Sequence, residues 1–299
     1  MDIIINLDKE RDITSQQAVT RIKRLFAAKK AGHAGTLDPI ATGILLICLN
    51  EATKVARFLS DLDKEYIVRL KLGESTDTYD STGRITGRGK ISSLSLPFSS
   101  IDKVLNRFSG QIEQVPPMYS AIKVAGQPLY KFARQGREIE RPPRKITVYS
   151  IDLLEIYLPY IEMKVACSKG TYVRTLCHDI GNALGVGAHM DSLKRTRIGH
   201  FKIADAASGE EIQLKKGAQH SIDSALSHLR EVIFDETSFH RARNGLPVNA
   251  PTCLLKTPEE EISEKFFSER YVRLKSPDNK LFGIGKINDK KVKIERLLN

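Results

Sequence analysis

Gly32-His33-Ala34-Gly35-Thr36-Leu37-Asp38-Pro39-Ile40-Ala41-Thr42-Gly43 is the stretch around which the rest of the chain arranges itself. Three glycines, a proline and two threonines predict a loop, and the apolar run Ile44 to Leu49 that follows reads as a buried strand. A loop anchored on such a strand can present a carboxylate accurately. Asp38 is that carboxylate, held between Leu37 and the φ-restricted Pro39, with His33 five residues upstream as a second polar projection. An Asp-Pro pair taken alone is more often a turn than a site.

The 299 residues suffice for a full core, in one large domain or one large and one small. A hydrophobic share of 41% and a charged share of 28% are those of an ordinary globular chain, not a disordered one. The formal net charge of +11 favours a polyanionic partner such as nucleic acid, without saying which. Cys48, Cys167, Cys177 and Cys253 are too scattered for a disulfide framework or a Cys-x-x-Cys zinc site and read as reduced thiols. Met1 to Glu10 lacks the features of a leader, and no run approaches the ~20 apolar residues of a membrane span, so the cytoplasm is expected.

Ile3 to Leu7 reads as a strand, and Thr14 with Gln17 forms a capping-box start for a helix to about Lys30. Ala18, Ile22, Leu25 and Phe26 share one helix face; the basic residues on the rest fit solvent and phosphate equally. A second helix is expected over Ala52 to Leu62. Tyr66 to Leu72 alternates as a strand with Tyr66, Val68, Leu70 and Leu72 inward. Thr76 to Gly83 is a structured loop, since its aspartates lack EF-hand spacing. Ser100 to Phe108 is a helix closed by Gly110.

Between residues 121 and 150 there are seven Lys or Arg against two acids, with Tyr130 and Phe132 interleaved. Such a segment can be a solvated basic surface, or it can neutralise phosphates and stack on bases. Ile146 to Ile156 and Tyr160 to Cys167 read as paired strands, and a helix runs from Thr171 to Leu184 with Gly185 as its stop. Arg174 falls in the first turn of that helix, where a cation works against the helix dipole and needs a specific partner. No Gly-Lys-Ser/Thr P-loop occurs, and Gly185-Val186-Gly187 follows a helix rather than a strand, which excludes a dinucleotide fingerprint. Asp205 to Ser224 is expected to be a polar, irregular joint. Beyond it, short strands around Val232–Phe234, Leu246–Val248, Tyr271–Leu274, Leu281–Ile287 and Val292–Ile294 suggest a small β-domain.

Three motifs resemble those of the TruB family of pseudouridine synthases: the Asp38 loop, Lys64-Glu65-Tyr66 with Leu72-Gly73, and Ser168-Lys169-Gly170-Thr171-Tyr172-Val173-Arg174. The Asp38 loop fits Gly-His-x-Gly-x-Leu-Asp-Pro-x-Ala-Thr-Gly without a gap. Leu193 to Gly199, Thr76 to Gly83 and two C-terminal segments resemble the family more loosely. The resemblance implies an α+β pseudouridine synthase fold: a central mixed, mainly antiparallel sheet flanked by helices, a basic thumb-like insertion and a small PUA-like β-domain. Boundaries of 1–230 for the catalytic domain, about 113–146 for the insertion and 231–299 for the PUA-like domain follow.

The implied reaction is the isomerisation of uridine 55 in the TΨC loop of tRNA. It breaks N1–C1′ and joins C5 to C1′ with no redox change, so no cofactor and no metal is expected. The family carries over Asp38 as nucleophile, by addition at the base or capture of C1′, and Arg174 as its partner. Tyr66 is the stacking platform for a uridine swung out of the RNA. Leu193 would line the base pocket and His33 fill the gap left in the RNA. Lys9, Lys123, Tyr130, Arg134 and Lys169 are expected on the RNA. Asp8-Lys9-Glu10-Arg11 departs from the family's Asp-Lys-Pro, which weakens the inference for Lys9. Partners implied are the tRNA T-arm and no obligate protein, with the chain a monomer. A guide-RNA-dependent synthase of the dyskerin type and a tRNA chaperone without catalysis are the alternatives.

Overall fold

The computed structural model describes residues 1–91, 97–249, 254–256, 271–288 and 291–298; Cys253 lies outside them. From the N-terminus, strand β1 (Ile3–Lys9) leads into helix α1 (Ser15–Leu25). The expected capping box is present: the Thr14 hydroxyl accepts from Gln17 N–H while the Gln17 side chain accepts from Thr14 N–H. The helix ends five residues before Lys30, because Ala27 turns into the left-handed region (φ +46°). The amides of Lys29 and Lys30 then donate to the Asn50 side chain instead of to a helix.

Strands β2 (Ala31–His33) and β3 (Thr42–Leu49) follow, so His33 sits on a short strand where a loop was expected. The Ala52–Leu62 helix resolves into a 3-10 turn over Asn50–Val55 and a short α2 (Ala56–Ser60). Next come β4 (Lys64–Leu72), the hairpin β5 (Glu74–Thr76) and β6 (Ile85–Arg88), α3 (Phe98–Arg107) and β7 (Gly110–Gln114). Residues 115–143 leave the sheet and carry a small hairpin, β8 (Lys123–Val124) and β9 (Gln127–Pro128), and helix α4 (Leu129–Arg134). The chain returns through β10 (Arg144–Tyr157), β11 (Tyr160–Cys167), α5 (Val173–Ala183), β12 (Ala188–Ile198), β13 (Phe201–Lys202) and β14 (Gln219–Ser221).

These strands form one sheet in the order β14-β1-β3-β12-β4-β11-β10-β7, with β2 on β3 and β13 on β12. Its pairs are antiparallel except β3–β12, which run parallel at Lys194–Thr42 and Arg195–Gly43. The apolar run after the Asp38 loop is explained here: β3 is buried on both faces, as a continuous hydrophobic strand should be. Leu45, Ile47 and Leu49 belong to one apolar cluster with residues of α1, α3 and α5, whereas Ile44, Leu46 and Cys48 belong to another with Phe58, Leu59 and Phe201. Strand β4 alternates as read, with Tyr66, Val68, Leu70 and Leu72 all buried.

The joint at 205–224 is less polar than its composition suggested. Ala206, Ala207, Ile212 and Ala218 are buried, and β14 extends the sheet beside β1 before α6 (Ile222–Ala225). A second sheet begins with β15 (Arg230–Ile233) and helix α7 (Glu236–Arg243). It continues through β16 (Val248–Asn249), β17 (Leu254–Lys256), β18 (Tyr271–Lys275), β19 (Leu281–Asn288) and β20 (Lys291–Leu297). Its Ile284 and Leu298 join the apolar cluster beneath the first sheet, and Asp223 on α6 accepts from Arg273 and Lys275 on β18.

Candidate active site

The Asp38 loop spans residues 34–41 between β2 and β3, and its backbone is held from several directions. Ala34 N–H donates to Leu46 O (2.9 Å), Ala41 N–H to Asp38 O (3.1 Å) and Asp12 N–H to Pro39 O (2.8 Å). Ser15, the first residue of α1, donates its hydroxyl to Leu37 O and accepts from Leu37 N–H, each at 2.8 Å. Lys9 is fully buried, and its Nζ donates to Glu10 O, Ile13 O and Pro39 O at 2.7, 2.9 and 3.3 Å. Both residues beside Asp38 are therefore tied to the N-terminal segment.

Arg174 reaches this carboxylate from the first turn of α5, 136 positions later in the chain. Its Nε lies 2.8 Å from Asp38 Oδ2 and its Nη2 3.3 Å from Oδ1, a two-point contact that fixes direction as well as distance. The remaining N–H groups donate to Thr78 O (3.1 Å) and Tyr119 O (2.9 Å), and Asp80 Oδ2 lies 3.6 Å from Nη1. Two carboxylates thus offset the unfavourable placement of a cation at a helix N-terminus. Asp80 is itself steadied by the hydroxyls of Thr78 (2.8 Å) and Thr82 (2.6 Å). Burial raises the Asp38 carboxyl above its ordinary value; the Arg174 charge opposes that rise and the Asp80 charge adds to it.

The pair lies in a cleft of about 830 Å³. Tyr66, Tyr119, Tyr130, Arg134, Tyr172, Leu193 and Arg195 share its lining with Asp38, Asp80 and Arg174. Burial raises the Tyr66 hydroxyl, and Arg134 sits with its guanidinium 5.5 Å from the Tyr130 ring centre. Of the residues singled out in the sequence, the fold gathers Asp38, Tyr66, Arg174, Leu193, Tyr130 and Arg134. His33, Lys9, Lys123 and Lys169 are not in the lining. His33 is half-buried on β2, its imidazole lowered by burial and by the Arg195 charge. Lys169 pairs with Asp61 at 2.9 Å on the surface, and Lys123 is exposed on β8.

The expected place of Lys9 on the RNA needs correction: an ammonium with no exposure, committed to three carbonyls, holds the loop from behind. Its burial lowers it to about 8. Sequence reading passed over Ser15, Asp80 and Arg195. Asp80 is 94 positions from Arg174 and Ser15 22 from Leu37, so no local pattern reveals either contact.

The fold is that of a pseudouridine synthase. A chain in a crystal structure of a Cbf5-Nop10-Gar1 complex is similar with a TM-score of 0.74 and 28% identity, over 99% of this chain and 84% of that one. Another, from an H/ACA RNP bound to a substrate RNA containing 2′-deoxyuridine, gives 0.71 and 26% over 99% and 85%. Residues 23–173 match the N-terminal domain of TruB family pseudouridylate synthase, and residues 174–235 the tRNA pseudouridylate synthase B C-terminal domain. The tRNA pseudouridine synthase B of Clostridium tetani is 41% identical over 96% of this chain and 99% of its own length. That of Syntrophus aciditrophicus is 46% identical over 84% and 82%. The chain belongs to the TruB family of pseudouridylate synthases.

Proposed function

We propose that this chain isomerises uridine 55 of the tRNA TΨC loop to pseudouridine, with Asp38 as the nucleophile. The observation that carries the reading is the two-point grip of Arg174 on Asp38 in a cleft large enough for a flipped-out nucleoside. Attack by Asp38 at the base or at C1′ opens the N1–C1′ bond. The base turns, C5 joins C1′, the bond to Asp38 breaks with its electron pair returning to the carboxylate, the C5 proton leaves and N1 takes one from solvent, so the product is an isomer. Tyr66 stacks on the base, Leu193 closes its pocket and His33 fills the space left in the RNA stack. Lys123, Tyr130, Arg134 and Lys169 track the RNA from the 113–146 insertion and the edge of the cleft.

The curated relatives of 41–46% identity carry tRNA in their names, and the net charge of +11 suits a polyanion. We divide the chain at about residue 230, before the second sheet, into a catalytic domain and a PUA-like domain that adds RNA contacts. The chain works as a cytoplasmic monomer; no helix among the described residues is long and apolar enough to cross a membrane.

The structural relatives drawn from an H/ACA RNP and a Cbf5-Nop10-Gar1 complex favour a second reading, dependence on a guide RNA and protein partners. One experiment separates the two: incubate purified protein with a bare tRNA transcript and map pseudouridine. Product at position 55 with wild type and none with Asp38→Asn supports the reading. Product only after a guide RNA is added supports the second, and product with Asp38→Asn refutes Asp38 as nucleophile.

A further inference from the structure

Arg195 is the largest fully buried side chain of the described residues and carries a charge, yet the reaction outlined above gives it no task. It stands on β12 directly opposite Tyr66 on β4 and lines the cleft. Its Nε donates to Ile44 O at 2.7 Å, its Nη2 to Gly35 O at 3.0 Å and its Nη1 to Thr36 O at 3.4 Å. Those carbonyls sit at both ends of the Asp38 loop, so one rigid fork joins the strand that leaves the loop to the backbone that enters it. The approach is tight: a Cβ on Gly43 would lie 2.3 Å from Arg195 O, and Gly43 holds a φ of +94°.

The charge is the second observation. Its near neighbour in sequence, Arg197, faces Glu65, whereas no carboxylate oxygen of the described residues forms an ion pair with Arg195. Neutral groups receive it, three backbone carbonyls and the Tyr66 hydroxyl, an expensive arrangement for a buried cation. Its field is felt nearby, lowering His33 and Lys9 and opposing the effect of burial on Tyr66. An uncompensated cation beside a base pocket stabilises negative charge there. Pseudouridine formation produces such charge by either route. Addition at C6 moves an electron pair onto the C5–C4–O4 system, and opening of N1–C1′ leaves its electron pair on the ring.

We propose that Arg195 is a positioning residue for this reaction, clasping both ends of the Asp38 loop while holding a positive charge against the base during turnover. The proposal rests on the reading that Asp38 attacks a uridine in this cleft. Its test measures kcat, KM and the pH–rate profile on a tRNA transcript for wild type, Arg195→Lys and Arg195→Met, with thermal melting of each. Arg195→Met is expected to lose about 100-fold in kcat with KM changed less than about threefold. Arg195→Lys keeps the charge without the fork, and is expected to recover at least tenfold of that loss. Wild-type kcat in Arg195→Met overturns the proposal. So does parallel loss of melting temperature and activity in both variants, with no recovery by lysine, which marks a merely structural role. Failure of the underlying reading appears elsewhere, as inactive wild type or active Asp38→Asn.

Discussion

Replacing Arg174 with alanine removes three hydrogen bonds at once, one each to Asp38, Thr78 O and Tyr119 O, together with the 2.8 Å ion-pair contact to Asp38 Oδ2. Breaking a buried ion pair by deleting one partner costs roughly 3–5 kcal/mol, because the other charge stays behind unpaired. Here the Asp38 side chain is 32% exposed to the cleft, so water rehydrates part of it and the lower end, about 3 kcal/mol, applies. At about 2 °C per kcal/mol for a chain of this size, the melting temperature should fall by roughly 6 °C. Turnover should fall further than stability alone explains. A carboxylate freed from a two-point contact wanders by an ångström or more, which is worth about 100-fold in rate. Arg174→Lys retains the charge without the fork and should lie between wild type and alanine in both measurements. Melting by circular dichroism and single-turnover pseudouridine formation read the two effects separately. Wild-type turnover in Arg174→Ala refutes the claim that Arg174 aims Asp38, whatever happens to the melt.

Asp38→Asn should abolish product while leaving the protein folded, because Arg174 keeps Asp80, Thr78 O and Tyr119 O as partners. Burial raises the Asp38 carboxyl, so its ionisation costs stability as pH climbs from the ordinary value through the raised one; the amide removes that cost but leaves Arg174 with one carboxylate fewer, and the two effects oppose each other in the melt at pH 7. By the same sign, the acid limb of kcat in wild type should have its midpoint above pH 3.8, the ordinary value of the group; a midpoint at or below it contradicts the raised value. Ser15→Ala should lose both bonds to Leu37 and about 1–3 kcal/mol, with a fall in kcat measured beside the melt; an unchanged kcat would mean the loop does not need that tie. Gly43→Ala should give little folded protein, because its Cβ meets the Arg195 backbone at 2.3 Å; a wild-type melt would show that the β3–β12 junction relaxes freely.

Much of the architecture was readable because its causes are local. The capping box at Thr14, the alternation of Tyr66 to Leu72 and the doubly buried run after Gly43 are set by residue type and spacing within a few positions. The limits of α1 and the break between Asn50 and Ala56 were not, since they depend on Ala27 and Asn50 taking left-handed backbone values that neighbouring residues do not dictate. At the site, Asp38 and Arg174 stood out singly, one for its loop and the other for its awkward place at a helix start.

The amino-acid sequence by itself determined the elements, the carboxylate-bearing loop and the family motifs, because periodicity, capping and turn chemistry act over one or two turns of chain. Only the tertiary structure decided that Lys9 is turned inward, that Asp80 shares Arg174 with Asp38, and that Arg195 reaches carbonyls 151 to 160 positions away. The Arg195 contacts arise where β3 and β12 run parallel. Strand pairing across such a distance follows from the packing of the whole sheet, which no local segment encodes.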